Sequence, residues 1–342
     1  MFGEKCYVIA EIGNNHCGDI DLCIKTIEEA KISGASAVKL QKRSNKDLFT
    51  KKFFDSPYEN PNSYGTTYGK HRDFLELSNN EMIKARKCAK ELNIDFICTP
   101  FDNNSVDFLS KHLELDAWKL ASADLRNREI QDRISQTSTK KIPIILSTGG
   151  YTLEDGKNTV NYLKDKFSEI AVLHCISSYP TKPSLVNLTC INSLKNLLGK
   201  NFHVGYSSHD NGIAISLAAR VIGAEVIEKH FTLDRSLKGT DHAMSANPTM
   251  LRKLVRDLEK IDQSLGNGKK SRLIEEEKPL IKMIKSPYTN KKISSGTTLD
   301  NNDIIFKVPF TGIDFEDAQC MLGKKLKRNM EFEEPIFAND LA

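Results

Sequence analysis

The chain has 342 residues, 39% of them hydrophobic, and sets 49 Lys or Arg against 45 Asp or Glu for a formal charge of +4. This balance argues against a disordered chain, and so small a basic excess, with no Lys/Arg stripe interleaved with aromatics, argues against a nucleic-acid binder. No apolar run approaches the roughly 18 residues of a membrane span, and the first apolar segment starts at Tyr7, too early for a signal peptide, so a cytoplasmic protein is expected. The eight cysteines are scattered without a CxxC pair and read as reduced thiols.

Short apolar or β-branched runs recur at residues 7–12, 35–41, 94–99, 117–122, 142–148, 170–175, 202–207 and 225–230. Between them the spacing predicts helices over 19–33, 79–92, 103–111, 153–166, 211–222 and 249–265, the first capped by Asp19 or Asp21 and stopped by Gly34. Eight alternating units predict an α/β fold, a (β/α)8 TIM barrel over residues 1–268, in preference to an open doubly wound sheet of five or six strands. One connection, 43–78, is unusually long and carries a Gly- and Tyr-rich stretch from Ser63 to Arg72, placed by its position after the second strand to act as a lid over the barrel mouth. Gly266-Asn267-Gly268 ends the helical pattern. A charged linker is expected over 269–285 and a compact β-rich module over 286–342, too small to be stable alone and therefore expected to pack on a barrel, its own or that of a second subunit.

A barrel of this kind builds its active site at the carboxyl ends of its strands. There the sequence places Glu11, Lys39, Gln41, Thr99, Lys119, Ser122, Ser147, Ser207, His209, Glu228 and His230. His209 and His230 close neighbouring strands, where two imidazoles suit one divalent cation, Mn²⁺, Fe²⁺ or Zn²⁺, able to polarise a carbonyl as a Lewis acid. Lys39 and Lys119, with Ser122, Ser147 and Ser207, suit a phosphate and a carboxylate, although a Schiff-base aldolase stays open at this point. The residues alone thus describe a metal-dependent barrel enzyme for an anionic small molecule, with the reaction unnamed.

Eight segments in order resemble the sialic acid synthase family. They are Ala10-Glu11-Ile12-Gly13-Asn14-Asn15-His16, Val38-Lys39-Leu40-Gln41-Lys42, Trp118-Lys119-Leu120-Ala121-Ser122-Ala123-Asp124, Leu146-Ser147-Thr148-Gly149, Ser177-Ser178-Tyr179-Pro180, Gly205-Tyr206-Ser207-Ser208-His209, Glu228-Lys229-His230-Phe231-Thr232 and Lys238-Gly239-Thr240-Asp241-His242. The resemblance implies a transferase that condenses phosphoenolpyruvate with N-acetylmannosamine or its 6-phosphate, giving N-acetylneuraminate or its 9-phosphate. It implies a C-terminal antifreeze-like (SAF) domain that reaches over the partner's barrel in a domain-swapped homodimer. By the same resemblance His209 and His230 are ligands of a divalent metal, usually manganese. Lys39, Thr99, Lys119, Ser122, Ser147, Ser177 and Ser207 then hold phosphoenolpyruvate, Glu11, Gln41, Tyr179 and Asp241 lie around the sugar and the metal-bound water, and Asp124 lies close by. Glu11 is the expected proton-handling group, with Glu228 a second candidate and Asp241 beside the metal-bound water.

One departure touches the sugar. Many bacterial members carry an Arg in the C-terminal domain where this chain has Val308, whereas the stretch from Ser63 to Arg72 resembles the animal enzymes that take the phosphorylated sugar. Alternatives carried forward are a synthase of a legionaminic or pseudaminic type acid, a synthase of seven- or eight-carbon keto acids, and a non-catalytic carbohydrate-binding barrel.

Overall fold

The structure is a computed structural model that describes residues 1–3, 5–137 and 140–342. Eight parallel strands close on themselves in chain order: β1 (Tyr7–Gly13), β2 (Ala37–Lys42), β3 (Asp95–Pro100), β4 (Ala117–Leu120), β5 (Ile144–Ser147), β6 (Ile170–Cys175), β7 (His203–Ser208) and β8 (Val226–His230). Registers such as Glu11 opposite Lys39 and Glu11 opposite His230 close the ring on both sides of β1. The barrel expected from the strand and helix alternation is therefore present, with strand ends shifted by at most two residues. The helix Ile20–Ile32 starts at the Asp19 cap, whose carboxylate accepts from the amides of Asp21 and Leu22.

Side-chain alternation decides what each strand offers to the inside. Val8, Ala10 and Ile12 of β1 point outward into the core shared with the helices, as do Val38 and Leu40 of β2 and Trp118 and Leu120 of β4. Ile9, Ala37, Ile97, Ala117, Ile145, Ala171, Leu173 and Val226 fill the barrel's inner floor. Two residues further along the same strands and on the same face come Glu11, Lys39, Thr99, Lys119, Ser147 and Glu228. The polar layer is thus stacked directly on the apolar floor.

Gly205 belongs to that inner floor because nothing larger fits. A Cβ there would stand 2.3 Å from the Val226 carbonyl oxygen and 2.5 Å from Leu173 Cδ2. Since one of those neighbours is strand backbone, Gly205→Ala is expected to destabilise the protein by about 1–3 kcal/mol or more, seen as a lower urea midpoint at unchanged m-value.

The connection after β2 is not a bare loop. It contains the helices Asn45–Leu48, Lys51–Phe54 and Tyr68–Phe74 and packs through its own aromatics, Phe49, Phe53, Tyr58, Tyr68 and His71. Two helices that were not among those expected, Arg128–Thr137 and Cys190–Leu198, complete the barrel's outer layer after β4 and β6.

The second compact unit spans Asn267–Ala342, so the segment expected as a linker groups with it and carries the short helix Ile274–Ile281. It holds the antiparallel pair β9 (Ser286–Thr289) and β10 (Ile304–Lys307) over a small core that includes Ile293, Leu299, Met321, Leu326, Met330 and Ile336. No helix among the described residues is long and apolar enough to cross a membrane.

Candidate active site

The carboxyl ends of the strands enclose a cavity of roughly 450 Å³, within the usual range for a small-molecule site. Glu11, Lys39, Gln41, Thr99, Lys119, Ser122, Ser147, Ser177, Tyr179, Ser207, His209, Glu228, His230 and Asp241 all line it. Asp124 does not. It lies in the 3-10 turn after β4, where it accepts from Asn127 Nδ2 at 3.0 Å.

The floor of the cavity is an alternating ionic quartet. Lys39 Nζ is 2.8 Å from Glu11 Oε2 and 3.6 Å from Glu228 Oε1, while Lys119 Nζ is 3.8 Å from Glu228 Oε2. All four side chains are buried. Burial works to raise the pKa of Glu228, but the ammonium groups of Lys119 and Lys39 and the two nearby imidazoles outweigh it and hold the carboxyl down at about 2. Burial likewise opposes the charge on Lys39, yet Glu11 and Glu228 more than compensate and its pKa is raised. For Lys119 burial wins, helped by the like charge of Lys39 against the pull of Glu228, and its pKa is lowered. Gln41 Nε2 donates to Glu11 Oε1 at 2.7 Å and Ser207 Oγ to Glu228 Oε1 at 3.1 Å, which fixes both carboxylates from a second side.

Beside the quartet is a pocket of small donors. Lys119 Nζ donates to Ser147 Oγ at 2.6 Å, and the Gly149 amide donates to Ser122 Oγ at 2.9 Å. A Cβ on Gly149 would sit 2.2 Å from Ser177 Oγ and 2.9 Å from Ser122 Oγ. Any side chain there would press on those two hydroxyls, which with Ser147 and Lys119 line the cavity as donors suited to a phosphate.

Next along the rim stand the histidines, their ring centroids 5.4 Å apart, with Cys175 Sγ between His209 Nδ1 at 3.8 Å and Ser122 Oγ at 3.9 Å. His209 Nδ1 is 2.8 Å from the Ile176 carbonyl, which can only accept, so Nδ1 carries the proton and Nε2 is left with a free lone pair. Burial, reinforced by His230, pushes the His209 pKa down to about 4, favouring the neutral ring that binds metals. His230 Nδ1 is buried without a hydrogen-bond partner, 3.9 Å from Asp241 Oδ2. Tyr179 covers this wall, its ring 4.1 Å from that of His209. The donors fit a divalent cation. Among the described residues no group of three or more His, Cys, Asp or Glu converges on one point, so the chain would supply two imidazoles and leave the remaining positions to water or substrate.

Two cationic cavity residues were not among the expected site residues, Arg43 and Arg72, although Arg72 ends the stretch expected as a lid. Arg43 continues the inward phase of Lys39 and Gln41 by one more step and could have been found by extending the alternation past the strand. Arg72 comes from the helix Tyr68–Phe74, whose register relative to the barrel no strand periodicity reveals.

The model of the NeuB family matches residues 26–270. Human N-acetylneuraminate-9-phosphate synthase is 35% identical over 334 residues, covering 97% of this chain and 92% of that protein. The N,N'-diacetyllegionaminic acid synthase of Campylobacter jejuni is 36% identical over 341 residues, covering 97% and 99%. Among solved structures, the N-acetylneuraminic acid (sialic acid) synthetase of Leptospira borgpetersenii superposes with a TM-score of 0.69 at 32% identity, covering 81% of this chain and 91% of that one.

Proposed function

Because the chain belongs to the NeuB family, we propose that it condenses phosphoenolpyruvate with an N-acetylated hexosamine to form a nonulosonic acid and phosphate. The observation that carries this reading is one cavity with two chemically distinct donor sets, a Lys119–serine cluster beside Gly149 and a pair of facing imidazoles. A condensation of this type needs both, an anchor for the phosphorylated donor and a site that activates the acceptor's aldehyde.

In this reading the methylene carbon of phosphoenolpyruvate forms a bond to the aldehyde carbon of the open-chain sugar. Water adds to the former enol carbon, and the resulting tetrahedral carbon expels phosphate by C–O cleavage to leave the keto acid. Lys119 and the serines hold the phosphate through that sequence, and Lys39 and Thr99 stand beside the reacting centre, 3.4 Å from each other. Glu11, held by Gln41 and Lys39, is the acceptor for the proton released by the attacking water. Glu228 stays ionised at neutral pH and orients the two lysines, leaving proton handling to Glu11. A divalent cation held by His209 and His230, Mn²⁺ in this proposal, would supply Lewis-acid polarisation of the aldehyde oxygen.

The sequence resemblance also supports reading the second unit as an antifreeze-like (SAF) domain in a domain-swapped homodimer, and the scattered, unpaired cysteines support a cytoplasmic location. The relatives act under names that differ in the sugar, N-acetylneuraminate 9-phosphate in one and N,N'-diacetyllegionaminic acid in another, so family membership leaves the acceptor open.

The test is phosphate release from phosphoenolpyruvate with Mn²⁺, comparing N-acetylmannosamine, its 6-phosphate, a 2,4-diacetamido hexose and no sugar. Release that depends on a sugar is expected. Its absence with all three, or release indifferent to sugar, would count against the condensation.

A further inference from the structure

The two histidines stand one residue beyond the point where their strands are joined. The register between β7 and β8 ends at Ser208 opposite Lys229. Past it, the His209 carbonyl accepts from the Thr181 amide at 3.0 Å and the His230 carbonyl from the Ala246 amide at 2.7 Å, so each backbone turns to a different neighbour. Sheet pairing alone therefore does not fix how far apart the imidazoles lie.

A side chain on the outer face of the sheet spans that gap. Alternation puts Lys229 on the same side as Ile227 and Phe231, away from the cavity, where it is 1% exposed. Its Nζ donates to Ser208 Oγ at 2.8 Å and to the carbonyl of Asp210, the residue that follows His209. The other side of the network is closed as well, since Asp210 Oδ1 accepts from Tyr206 OH at 2.7 Å and from Ser208 Oγ at 2.6 Å. Asp210 Oδ2 is 4.0 Å from Lys229 Nζ and has no hydrogen-bond partner. A buried lysine and carboxylate stabilise a fold no better than a well-packed apolar pair would. What this pair does supply is a bridge from β8 to the turn after β7, immediately behind both imidazoles.

Resting on the reading that His209 and His230 hold a divalent cation, we infer that Lys229 is a positioning residue that sets the separation of the two imidazoles from the opposite face of the sheet. It does so without entering the cavity. Partners behind metal ligands act in this way, by fixing where a ligand ring stands before the ion arrives.

Lys229→Met alone would leave Asp210 buried without its cation, so the comparison belongs in a background where that side chain is neutral. Asp210→Asn keeps an acceptor for Tyr206 and Ser208 and leaves both Lys229 bonds in place. Mn²⁺ titrated by calorimetry into the full chain should bind Asp210→Asn within about threefold of the wild type, and Lys229→Met/Asp210→Asn at least about tenfold more weakly. A lysine with a purely structural role would lower the urea midpoint and leave the Mn²⁺ affinity of the double variant equal to that of Asp210→Asn, which would overturn the assignment. If the double variant does not fold, Lys229→Gln/Asp210→Asn, whose tip stays polar but is one atom shorter, carries the same expectations.

Should the wild type bind no Mn²⁺, the cation reading fails while the positioning can still be decided by crystal structures of the variants. The ring centroids, 5.4 Å apart, should shift relative to one another by more than about 1 Å in the double variant and hold within about 0.5 Å in Asp210→Asn. Imidazoles that stay in place in the double variant would refute the role of Lys229 on their own.

Discussion

Turnover in His230→Ala is expected to fall on the order of a thousandfold, the loss that follows when charge stabilisation at a reacting oxygen is removed, with little change in folding stability. His230 sits at the open end of β8, and its Nδ1 makes no hydrogen bond, so truncation removes little that the fold uses. His209→Ala should give the same kinetic loss with about 1 kcal/mol of destabilisation, because the bond from Nδ1 to the Ile176 carbonyl goes with it. Steady-state phosphate release, bound-metal content and urea unfolding, measured on the same preparations, separate the effects. Metal content that survives in either variant, or full activity, would remove these histidines from the ligand role.

Lys39→Met should be the most destabilising single change at the site, by about 3–5 kcal/mol at neutral pH, since it leaves Glu11 and Glu228 buried without the cation between them. The pH dependence gives the account a sharper check. In the folded protein Glu228 is held at about 2, below its ordinary 4.5, so its stabilising contribution is complete above pH 4.5 and is lost as pH falls towards 2. Removing Lys39 takes away part of what holds that value down. Glu228 in the variant then takes up a proton more readily, and the stability gap between wild type and variant should narrow in acid. Adding Glu228→Gln to the variant should recover stability at neutral pH. A gap that stays constant from pH 7 to pH 4 in urea titrations, with no recovery in the double variant, would dissolve the quartet as an electrostatic unit.

The barrel was legible in the sequence because burial on both faces leaves short β-branched runs at a steady interval, and because caps such as Asp19 mark where helices begin. The rim residues were legible for a related reason. Once Ile9, Ala37 or Val226 is placed inward, Glu11, Lys39 or Glu228 two positions on must follow. Hidden from that reasoning was everything set by contacts distant in sequence. The helices Arg128–Thr137 and Cys190–Leu198 were not hidden in this way, since Ile130 and Ile134 in one and Ile191 and Leu194 in the other stand at helical spacing and a period count across those connections would have found them. Asp124 matched a family motif but turns to Asn127, outside the cavity. Arg72 reaches the cavity only through the packing of the connection after β2.

That connection divides labour within the molecule. Neither barrel core cluster takes a residue from between 44 and 74, and the segment instead holds itself together through its own rings. Mutational drift there can alter the side chains that reach the cavity, Arg72 among them, without eroding the scaffold, while the strand-borne residues remain under the constraints of folding. Such an arrangement lets one part of the cavity wall vary while the part built on the strands is held by the fold.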